Sequence, residues 1–337
     1  MKKPPLRVGV AGLGVISAVH LEAIQNLETA QLVAVCDQDP AKKANAGPVP
    51  FYTDLKEMLQ HGALDVLHIC LPHHLHVPAI LLAGEFGVHA FVEKPVGLHL
   101  ADIKKLEGIA IKVGVCLQNR YNPTTLKLRE VLDQQIYGPL KGSKAVVTWN
   151  RGQEYYGKDP WRGTLSEAGG GAMLSQAIHT LDLMYLVGGP VKWVKSLAGN
   201  LLREEIEVED TACAQMVFEN GTQGIFYGTV THCFNSAIEV EIVCEKGVLK
   251  VQDGRLVGYG AGGLEVLAQD EAPIGRKSYY GISHQEAIRK FYGAVIDDTN
   301  DYITIEEATW SVAICQEVMA SSKSGKRQYF RDLLNIG

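Results

Sequence analysis

The chain has 337 residues, of which 46% are hydrophobic and 21% charged, and its 32 basic and 38 acidic residues give a formal charge of −6. This composition excludes a disordered chain, a collagen-like chain and a small disulfide-rich scaffold. The mild acidity argues against a general nucleic-acid binder, although a small anionic ligand is not excluded. Seven scattered cysteines without a C-x-x-C pair are typical of reduced thiols in a cytoplasmic protein.

The N-terminal segment resembles a signal peptide only superficially. Lys2 and Lys3 precede an apolar stretch at 8–16, but Pro4 and Pro5 lie between them and there is no A-x-A-like cleavage site. No apolar run reaches the roughly 18 residues that a membrane helix needs. We therefore predict a buried first strand, a cytoplasmic location and no membrane partner.

The first 120 residues alternate short apolar runs with helical patterns. Continuous apolar runs favour strands that are covered on both faces, and strand–helix alternation predicts right-handed βαβ units. The fold prediction for residues 1–122 is therefore α/β, with a doubly wound parallel sheet. The predicted strands are 7–11, 32–36, 64–71, 88–92 and 113–117, and the predicted helices are 17–27, 54–60, 77–84 and 99–111.

A different pattern begins after Asn122-Pro123. The predicted elements are helices at 124–135, 171–187, 284–297 and 304–323, a strand at 142–149, a loop at 150–168 and antiparallel strands from 191 to 268. Asn220-Gly221 favours a tight hairpin turn among these strands. We assign 123–337 to a second domain whose strands are mainly antiparallel. The exposed face of their sheet is predicted to join subunits in a homodimer or homotetramer.

A glycine-rich turn joins the first predicted strand to the first helix. Gly12 permits a tight turn, Gly14 lets a pyrophosphate approach the backbone, and Ser17 is small enough for helix–strand packing. The helix N-terminus offers unpaired N–H groups to phosphates, so Val15 and Ile16 belong to the predicted cofactor site. The alternative is a glycine turn without a ligand, which the βαβ context disfavours.

A carboxylate follows the second predicted strand. Asp37 stands where it would accept hydrogen bonds from the adenine-ribose diol of a dinucleotide. A 2′-phosphate about 4 Å away would be repelled by about 4 kcal/mol at an effective dielectric of 20. Gln38 follows, rather than an arginine that would hold that phosphate. We therefore predict NAD as cofactor, with NADP left open because Lys42 and Lys43 would soften the repulsion.

The Glu93-Lys94-Pro95 segment ends a predicted strand at the sheet edge where parallel sheets bind ligands. Lys94 is the candidate that holds a substrate hydroxyl and stabilises alkoxide character as the proton leaves. Pro95 restricts the backbone beside it. The alternative is a surface lysine paired with Glu93.

A series of short motifs runs through the chain in one order. They are Gly12-x-Gly14-x-x-Ser17 with His20, Leu75-His76, Glu93-Lys94-Pro95, Gln118-Asn119-Arg120-Tyr121-Asn122-Pro123, Gly169-Gly170-Gly171 before His179-x-x-Asp182, and the segment 321–326. This series resembles the Gfo/Idh/MocA family, named after glucose–fructose oxidoreductase, inositol dehydrogenase and a rhizopine-catabolism protein. The resemblance implies an N-terminal Rossmann domain and a C-terminal α/β domain with a large open, mainly antiparallel sheet. It also implies NAD(P)-dependent oxidation of a sugar-like hydroxyl and catalytic roles for Lys94 and His179. His76, Glu93 and Lys94 are assigned to the cofactor site.

The predicted helix at 171–187 has an apolar face and, at 100° per residue, a narrow polar strip with Ser175, His179 and Asp182. His179 can take the proton of a substrate hydroxyl, and Asp182 can orient the ring. The alternative is a structural histidine with satisfied hydrogen bonds. Ser175 departs from the aspartate that many family members carry four residues before the catalytic histidine, so inositol or hexose specificity does not transfer simply.

Two segments are similar to a branch of this family that resembles UDP-N-acetylglucosaminuronate 3-dehydrogenases. They are Ser175-Gln176 and Trp161-Arg162-Gly163-Thr164. Arg162 is the candidate that holds a carboxylate or phosphate through two hydrogen bonds. With Ser175 and Asp182, it belongs to the predicted substrate site.

Three further residues complete that predicted site. Arg120 is expected to line the cleft between the domains, and Tyr155 and Trp161 are expected to stack on a sugar or, alternatively, to pack on their own domain. The histidines of 73–76 do not predict a metal site, because acids or cysteines at a useful spacing are missing.

These features predict a dehydrogenase that uses NAD(P) to oxidise a secondary hydroxyl of a sugar, cyclitol or nucleotide sugar. Lys94 would hold the hydroxyl, and His179 would act as general base. One alternative is a glycosidase of the same fold that uses transient oxidation and releases reducing sugar without net NADH. The other is a non-catalytic NAD-binding sensor, which the Lys94–His179 pair disfavours.

Overall fold

The computed structural model describes residues 3–45, 47–271 and 283–330. They form two compact units. The first extends to Gln118 and includes Ser283–Thr309, and the second runs from Asn119 and takes up the chain again at Trp310. The predicted division after residue 122 lies close to this boundary. It differs in placing Ser283–Thr309 in the second domain, whereas the structure returns this segment to the first unit.

A six-stranded parallel sheet forms the centre of the first unit among the described residues. Its strands are β1 (Leu6–Ala11), β2 (Ala30–Cys36), β3 (Phe51–Tyr52), β4 (Val66–Ile69), β5 (His89–Glu93) and β6 (Val113–Cys116). Their spatial order is β3-β2-β1-β4-β5-β6, which is the doubly wound order of a Rossmann fold. The predicted fold of this unit is confirmed.

Short helices connect these strands. They are α1 (Ser17–Asn26), α2 (Leu55–His61), α3 (His76–Glu85) and α4 (Leu100–Ile103). Asp54 caps α2, because its side chain accepts from the backbone N–H of Glu57. The predicted helix at 99–111 is shorter than expected. After α4 the chain tightens into a 3-10 turn at Lys104–Leu106, and Gly108 follows with a φ of +74° that ends the helical path.

In the described part of the second unit, the strands form one nine-stranded sheet. The elements of this unit include α5 (Pro123–Asp133), β7 (Leu140–Thr148), α6 (Gln153–Lys158), α7 (Leu165–Ala168), α8 (Ile178–Gly188), β8 (Val191–Gly199), β9 (Thr211–Phe218), β10 (Gln223–Thr229), β11 (Glu239–Cys244), β12 (Gly247–Gln252), β13 (Arg255–Gly260), β14 (Gly263–Gln269) and β15 (Gln328–Tyr329). The strands lie in the sheet in the spatial order β14-β13-β12-β11-β7-β10-β9-β8-β15. Within this order, β7 and β10 pair in parallel and the other neighbours antiparallel. The predicted large, mainly antiparallel sheet is confirmed.

Two helices, α9 (His284–Asp297) and α10 (Ile305–Ser324), match the predictions for the C-terminal part of the chain. The apolar face of α9 packs on the sheet of the first unit, with the ring of Phe291 5.4 Å from that of Phe91. A Cβ at Gly114 of β6 would lie 2.5 Å from the Phe291 ring, so glycine makes room for it. This packing explains why the segment from Ser283 belongs to the first unit.

One face of the nine-stranded sheet exposes apolar side chains. Leu197, Cys213 and Tyr227 are exposed neighbours across β8, β9 and β10, and Ile225 is exposed on the same strand as Tyr227. The predicted association of subunits through this face stays a prediction. All seven cysteines are free thiols, and of these Cys213 and Cys233 are exposed.

In the described part of the chain, no helix combines the length and the apolar character that crossing a membrane would require.

Candidate active site

The glycine turn between β1 and α1 has the shape that a phosphate-binding loop needs. Gly12 has a φ of +88°, and a Cβ there would lie 2.5 Å from the carbonyl oxygen of Cys70, so only glycine fits. Gly14 is exposed with open space where a Cβ would stand, and Val15 is 62% exposed. The buried Ser17 donates from Oγ to the Gly14 carbonyl at 2.7 Å. This open backbone fits a pyrophosphate.

The carboxylate of Asp37 lies directly after β2 and beside this turn. Its Oδ2 accepts from the backbone N–H of Leu13 at 2.7 Å, and its Oδ1 accepts from that of Asp39 at 3.0 Å. Each carboxylate oxygen has a second lone pair for a ribose hydroxyl. Ile16, half-buried, immediately precedes α1. The residues present therefore fit the adenosine half of a dinucleotide.

Lys94 stands directly after β5 and is half-buried. The fully buried ring of His76 fixes the segment that follows it. Its Nδ1 and Nε2 lie 2.6 Å and 2.8 Å from the carbonyl oxygens of Pro95 and Leu71. Both ring nitrogens lie within hydrogen-bonding distance of carbonyl groups of the protein, and the predicted cofactor contact of His76 stays a prediction. The ring positions Pro95 and, with it, the backbone beside Lys94.

Glu93 points into the first unit, where it is 7% exposed. Its Oε1 lies 2.9 Å from Nε2 of His20, and its Oε2 accepts from the backbone N–H of Lys94 at 3.2 Å. Both carboxylate oxygens therefore have partners within the protein, and the predicted contact between Glu93 and the cofactor stays a prediction. The carboxylate orders the backbone of Lys94 from behind.

Among the described residues, His20, Glu93 and Cys116 offer donor atoms that all lie within 4.8 Å of one another. A thiol binds a metal ion as its thiolate. Burial raises the pKa of the Cys116 thiol, and the charge of Glu93 raises it further. The cluster therefore suits hydrogen bonding between protein groups better than it suits a metal ion.

The segment predicted as one helix over 171–187 is two elements. Residues Ala172–Ala177 form a π-helical turn, and α8 begins only at Ile178. The period of 100° per residue does not hold across this join, so Ser175 does not continue the polar strip of the α-helix. Its Oγ donates instead to the carbonyl of Gly170 at 2.6 Å. Single π turns in helical segments often accompany functional sites.

A buried carboxylate just before β9 fixes the π-helical turn. Glu209 accepts from the backbone N–H groups of Gly171 and Met173, each at 2.9 Å. A Cβ at Gly171 would lie 2.2 Å from the carbonyl oxygen of Glu209, so no other residue fits there. Burial raises the pKa of Glu209 although these hydrogen bonds oppose the shift. Glu209 thereby sets where the following helix, with His179 in its first turn, begins.

His179 is half-buried, whereas Asp182 of the same helix is 1% exposed. The two oxygens of Asp182 accept from Nε and Nη2 of Arg120 at 2.8 Å and 2.7 Å. The two side chains form a bidentate ion pair inside the second unit, and the substrate contacts predicted for Arg120 and Asp182 stay a prediction. The ion pair anchors α8, which carries His179.

Removal of the Asp182 carboxylate is expected to destabilise the protein by about 3–5 kcal/mol, because the guanidinium of Arg120 would stay buried without its counter-ion. The matched control is Asp182→Leu combined with Arg120→Met, which removes both charges and is expected to recover most of the loss. Urea denaturation of Asp182→Ala and of the double variant checks this. Equal destabilisation in the two would contradict the stated cause.

Polar and cationic side chains surround Gln176, three residues before His179. Arg151 donates from Nε to Oε1 of Gln176 at 2.8 Å, and Gln176 donates from Nε2 to the hydroxyl of Tyr155, also at 2.8 Å. Arg162 donates from Nη1 to the same hydroxyl at 2.6 Å. The structure therefore places two guanidinium groups around one phenol. Sequence patterns did not single out Arg151, although a basic residue soon after a strand end is a usable signal.

The two aromatic residues of the predicted substrate site pack on their own unit. Tyr155 and Trp161 cover a small apolar cluster, and the guanidinium of Arg162 lies 4.6 Å and 5.3 Å from the centroids of their rings. The cluster consists of Tyr156, Ala168, Ile206 and Val208. This packing is the alternative considered for the aromatic residues, and their stacking on a sugar stays a prediction.

Comparison with known proteins places these features in a family. Residues 6–121 match the oxidoreductase family with an NAD-binding Rossmann fold, and residues 125–250 match the GFO/IDH/MocA C-terminal domain. An oxidoreductase of Synechocystis, sll0816, is 32% identical over 59% of this chain, and the match spans about half of that relative's length (55%). Myo-inositol 2-dehydrogenase of Thermotoga maritima is 26% identical over 72% of this chain and 74% of its own length.

A solved structure covers nearly the whole chain. The WlbA dehydrogenase from Bordetella pertussis, in complex with NADH and UDP-GlcNAcA, superposes with a TM-score of 0.83 at 28% identity. The match covers 96% of this chain and 98% of that protein. Both units of the fold therefore have counterparts in one solved dehydrogenase.

Proposed function

Because this chain belongs to the Gfo/Idh/MocA family of oxidoreductases, whose N-terminal domain is an NAD-binding Rossmann fold, we propose that it oxidises a secondary hydroxyl of an anionic, nucleotide-linked sugar. The observation that carries this proposal is the pair of guanidinium groups, Arg151 and Arg162, which hydrogen bonds connect through Tyr155 and Gln176, three residues before His179. Guanidinium groups bind carboxylates and phosphates through paired hydrogen bonds.

The residue at position 175 supports the same substrate class. Ser175 carries no charge, whereas an aspartate here would add a negative charge one turn before His179. A carboxylate on the substrate would be repelled by that charge, and the repulsion is strong where water is excluded. The serine therefore favours an anionic substrate over a neutral polyol. The 28% identical WlbA dehydrogenase, solved with UDP-GlcNAcA, supports this reading.

In the proposed mechanism Lys94 and His179 act on the same substrate hydroxyl. The Lys94 ammonium donates to the oxygen of the reacting hydroxyl and stabilises the negative charge that develops there. His179 accepts the hydroxyl proton at a ring nitrogen and passes it to solvent, as its half-buried position allows. The glycine turn and Asp37 would hold a dinucleotide, which would supply the hydride acceptor when bound. Glu93 and His76 keep the backbone around Lys94 in place.

A comparison of charged and neutral sugars tests the proposal. UDP-N-acetylglucosaminuronate and its neutral counterpart UDP-N-acetylglucosamine are offered with NAD, alongside myo-inositol and glucose, and the absorbance of reduced nicotinamide is followed. A hydrogen-bonded ion pair with the carboxylate is worth roughly 1.5–3 kcal/mol, so we expect kcat/KM to favour the uronate by about 10–100-fold. Equal rates with both nucleotide sugars, or a preference for a neutral polyol, would contradict the proposed class.

The same experiment separates the two alternative functions. Release of reducing sugar without net NADH would favour the glycosidase. Tight NAD binding without turnover of any sugar in the panel would favour the sensor.

A further inference from the structure

Four buried polar side chains form a continuous hydrogen-bonded chain inside the first unit. Glu93 lies on β5, His20 on α1, His68 on β4 and Tyr292 on α9, and the last three are fully buried. From Nε2 of His20 to Oε1 of Glu93 the distance is 2.9 Å, and the Nδ1 atoms of His20 and His68 are 2.8 Å apart. Nε2 of His68 lies 2.8 Å from the hydroxyl of Tyr292. Burying four polar side chains is unfavourable unless their hydrogen bonds are satisfied, so the positions of the protons in this hydrogen-bonded chain matter.

The geometry allows two patterns of protons. In the first, His20 carries a proton on each nitrogen and donates to Glu93 and His68, and His68 donates to Tyr292. In the second, both imidazoles are neutral, Tyr292 donates to His68, and Glu93 has no cationic partner among these four side chains. Because a directly hydrogen-bonded cation stabilises a buried carboxylate, the first pattern is the more stable one.

The pKa directions agree with this choice. Burial alone would lower the pKa of His20, but Cys70, Cys116 and Glu93 together raise it well above the ordinary value. Burial and the charge of His20 both lower the pKa of His68. Burial would raise the pKa of Glu93, and the hydrogen bond and charge of His20 reverse that shift. In the stable state Glu93 is thus a carboxylate, His20 an imidazolium and His68 a neutral imidazole.

Other titratable groups face this chain from the surrounding elements. Cys70 follows β4, Cys116 ends β6, and Nε2 of His284 on α9 lies 3.8 Å from Oε1 of Glu93. Burial raises the pKa of Cys116 and of Tyr292, so both keep their protons at neutral pH. Lys94 is the next residue after Glu93, and its ammonium adds positive charge near the Glu93 carboxylate.

We propose that His20 is a positioning residue for Lys94: held as an imidazolium against Glu93, it keeps that carboxylate ionised and oriented toward the backbone N–H of Lys94. The inference rests on the proposed role of Lys94. A protonated Glu93 would lose the charge-assisted hydrogen bond to that N–H and the negative charge that favours the ammonium. His68 and Tyr292 complete the hydrogen bonds of the imidazolium.

Substitution of His20 is expected to change the pH dependence of turnover. In His20→Gln the imidazolium is gone, so burial raises the pKa of Glu93. Activity that needs the ionised carboxylate is then present above this pKa and is lost as the pH falls through it. With UDP-N-acetylglucosaminuronate and NAD, lowering the pH from about 8 to about 5.5 should reduce the kcat of His20→Gln about tenfold more than it reduces the kcat of the wild-type protein. KM should change less than about threefold, because substrate contacts remain.

Glu93→Gln is the matched variant, because it has the shape of the neutral carboxyl group and cannot ionise. Its kcat is expected to be low at every pH, without the added acid slope. The rate of His20→Gln should approach that of Glu93→Gln as the pH falls. A purely structural role for His20 would lower the rate without producing this convergence.

A second readout needs no substrate. The NAD-bound protein is labelled with ¹⁵N-histidine, and the signals of the chain are assigned by their shifts in Tyr292→Phe, which leaves the ion pair intact. We expect the His20 ring to be doubly protonated at about pH 7.5, one unit above the ordinary pKa of histidine. A neutral His20 ring at that pH would overturn the inference.

The outcomes separate this inference from the proposed function. A wild-type pH profile in His20→Gln also overturns the positioning role, while the dehydrogenase proposal stands as long as Lys94→Ala is inactive. Normal turnover in Lys94→Ala overturns the proposed function instead, whatever the protonation state of His20 proves to be.

Discussion

Lys94→Ala is expected to lower kcat by about 10²–10³-fold, the usual effect of removing a group that stabilises charge in the transition state. The affinity for NAD, measured by calorimetry, should change less than about threefold, because the glycine turn and Asp37 hold the dinucleotide. Initial rates with UDP-N-acetylglucosaminuronate give kcat and KM.

The control for Lys94 is Lys105→Ala, which removes an exposed lysine that pairs with Asp102 on the surface of the same unit. It should leave kcat unchanged, since exposed ion pairs contribute little. Added primary amine should restore part of the activity of Lys94→Ala by supplying an ammonium in the vacated space. Turnover of Lys94→Ala close to that of the control would refute the role assigned to Lys94.

His179→Ala is expected to lower kcat by about 10²–10⁴-fold, because no base would then accept the hydroxyl proton as the carbon is oxidised. His99→Ala is the matched control, since His99 is exposed and its side chain makes no capping hydrogen bond at the start of α4. Urea denaturation should show that His179→Ala is folded. Imidazole added to the buffer should restore part of its rate.

The two catalytic losses should not add. If Lys94 and His179 act on one hydroxyl, the double variant should be little slower than the slower single variant, as for groups that work as a unit. A fully additive loss would indicate that the two side chains serve separate steps.

The fold could be predicted from the sequence where local patterns decide it. The strands of the first sheet are uninterrupted apolar runs, and the glycine turn demands a positive φ that only Gly12 supplies without strain. One residue inside such a run carries a signal that the sequence analysis does not use. His68 is a histidine in the fully buried strand Val66–Ile69, and a polar residue there signals a buried hydrogen-bonded chain.

The site could be predicted only in part, because distant contacts shape it. Helical periodicity assumes an unbroken α-helix, yet the π-helical turn depends on Glu209, which is 38 residues away from Gly171. Likewise, Arg120 and Asp182 are 62 residues apart and each has the pattern of a surface polar residue. Local sequence patterns do not reveal such pairings, so the sequence alone predicts substrate contacts for Arg120 and Asp182.

The contribution of α9 to the first unit has a similar origin. Phe291 fits against Phe91 because Gly114 leaves space between them, and the three residues are far apart in the sequence. The sequence pattern predicts helix α9, but it does not indicate that this helix belongs to the first unit.

A crystal structure of the protein with NADH and UDP-N-acetylglucosaminuronate, in which the reduced cofactor leaves the substrate intact, would test the shared role of Lys94 and His179. We predict that Nζ of Lys94 and a ring nitrogen of His179 each lie about 2.7–3.2 Å from the same hydroxyl oxygen of the sugar. A sugar bound with either group more than about 5 Å from every hydroxyl, too far even for a bridging water, would contradict the shared role of Lys94 and His179.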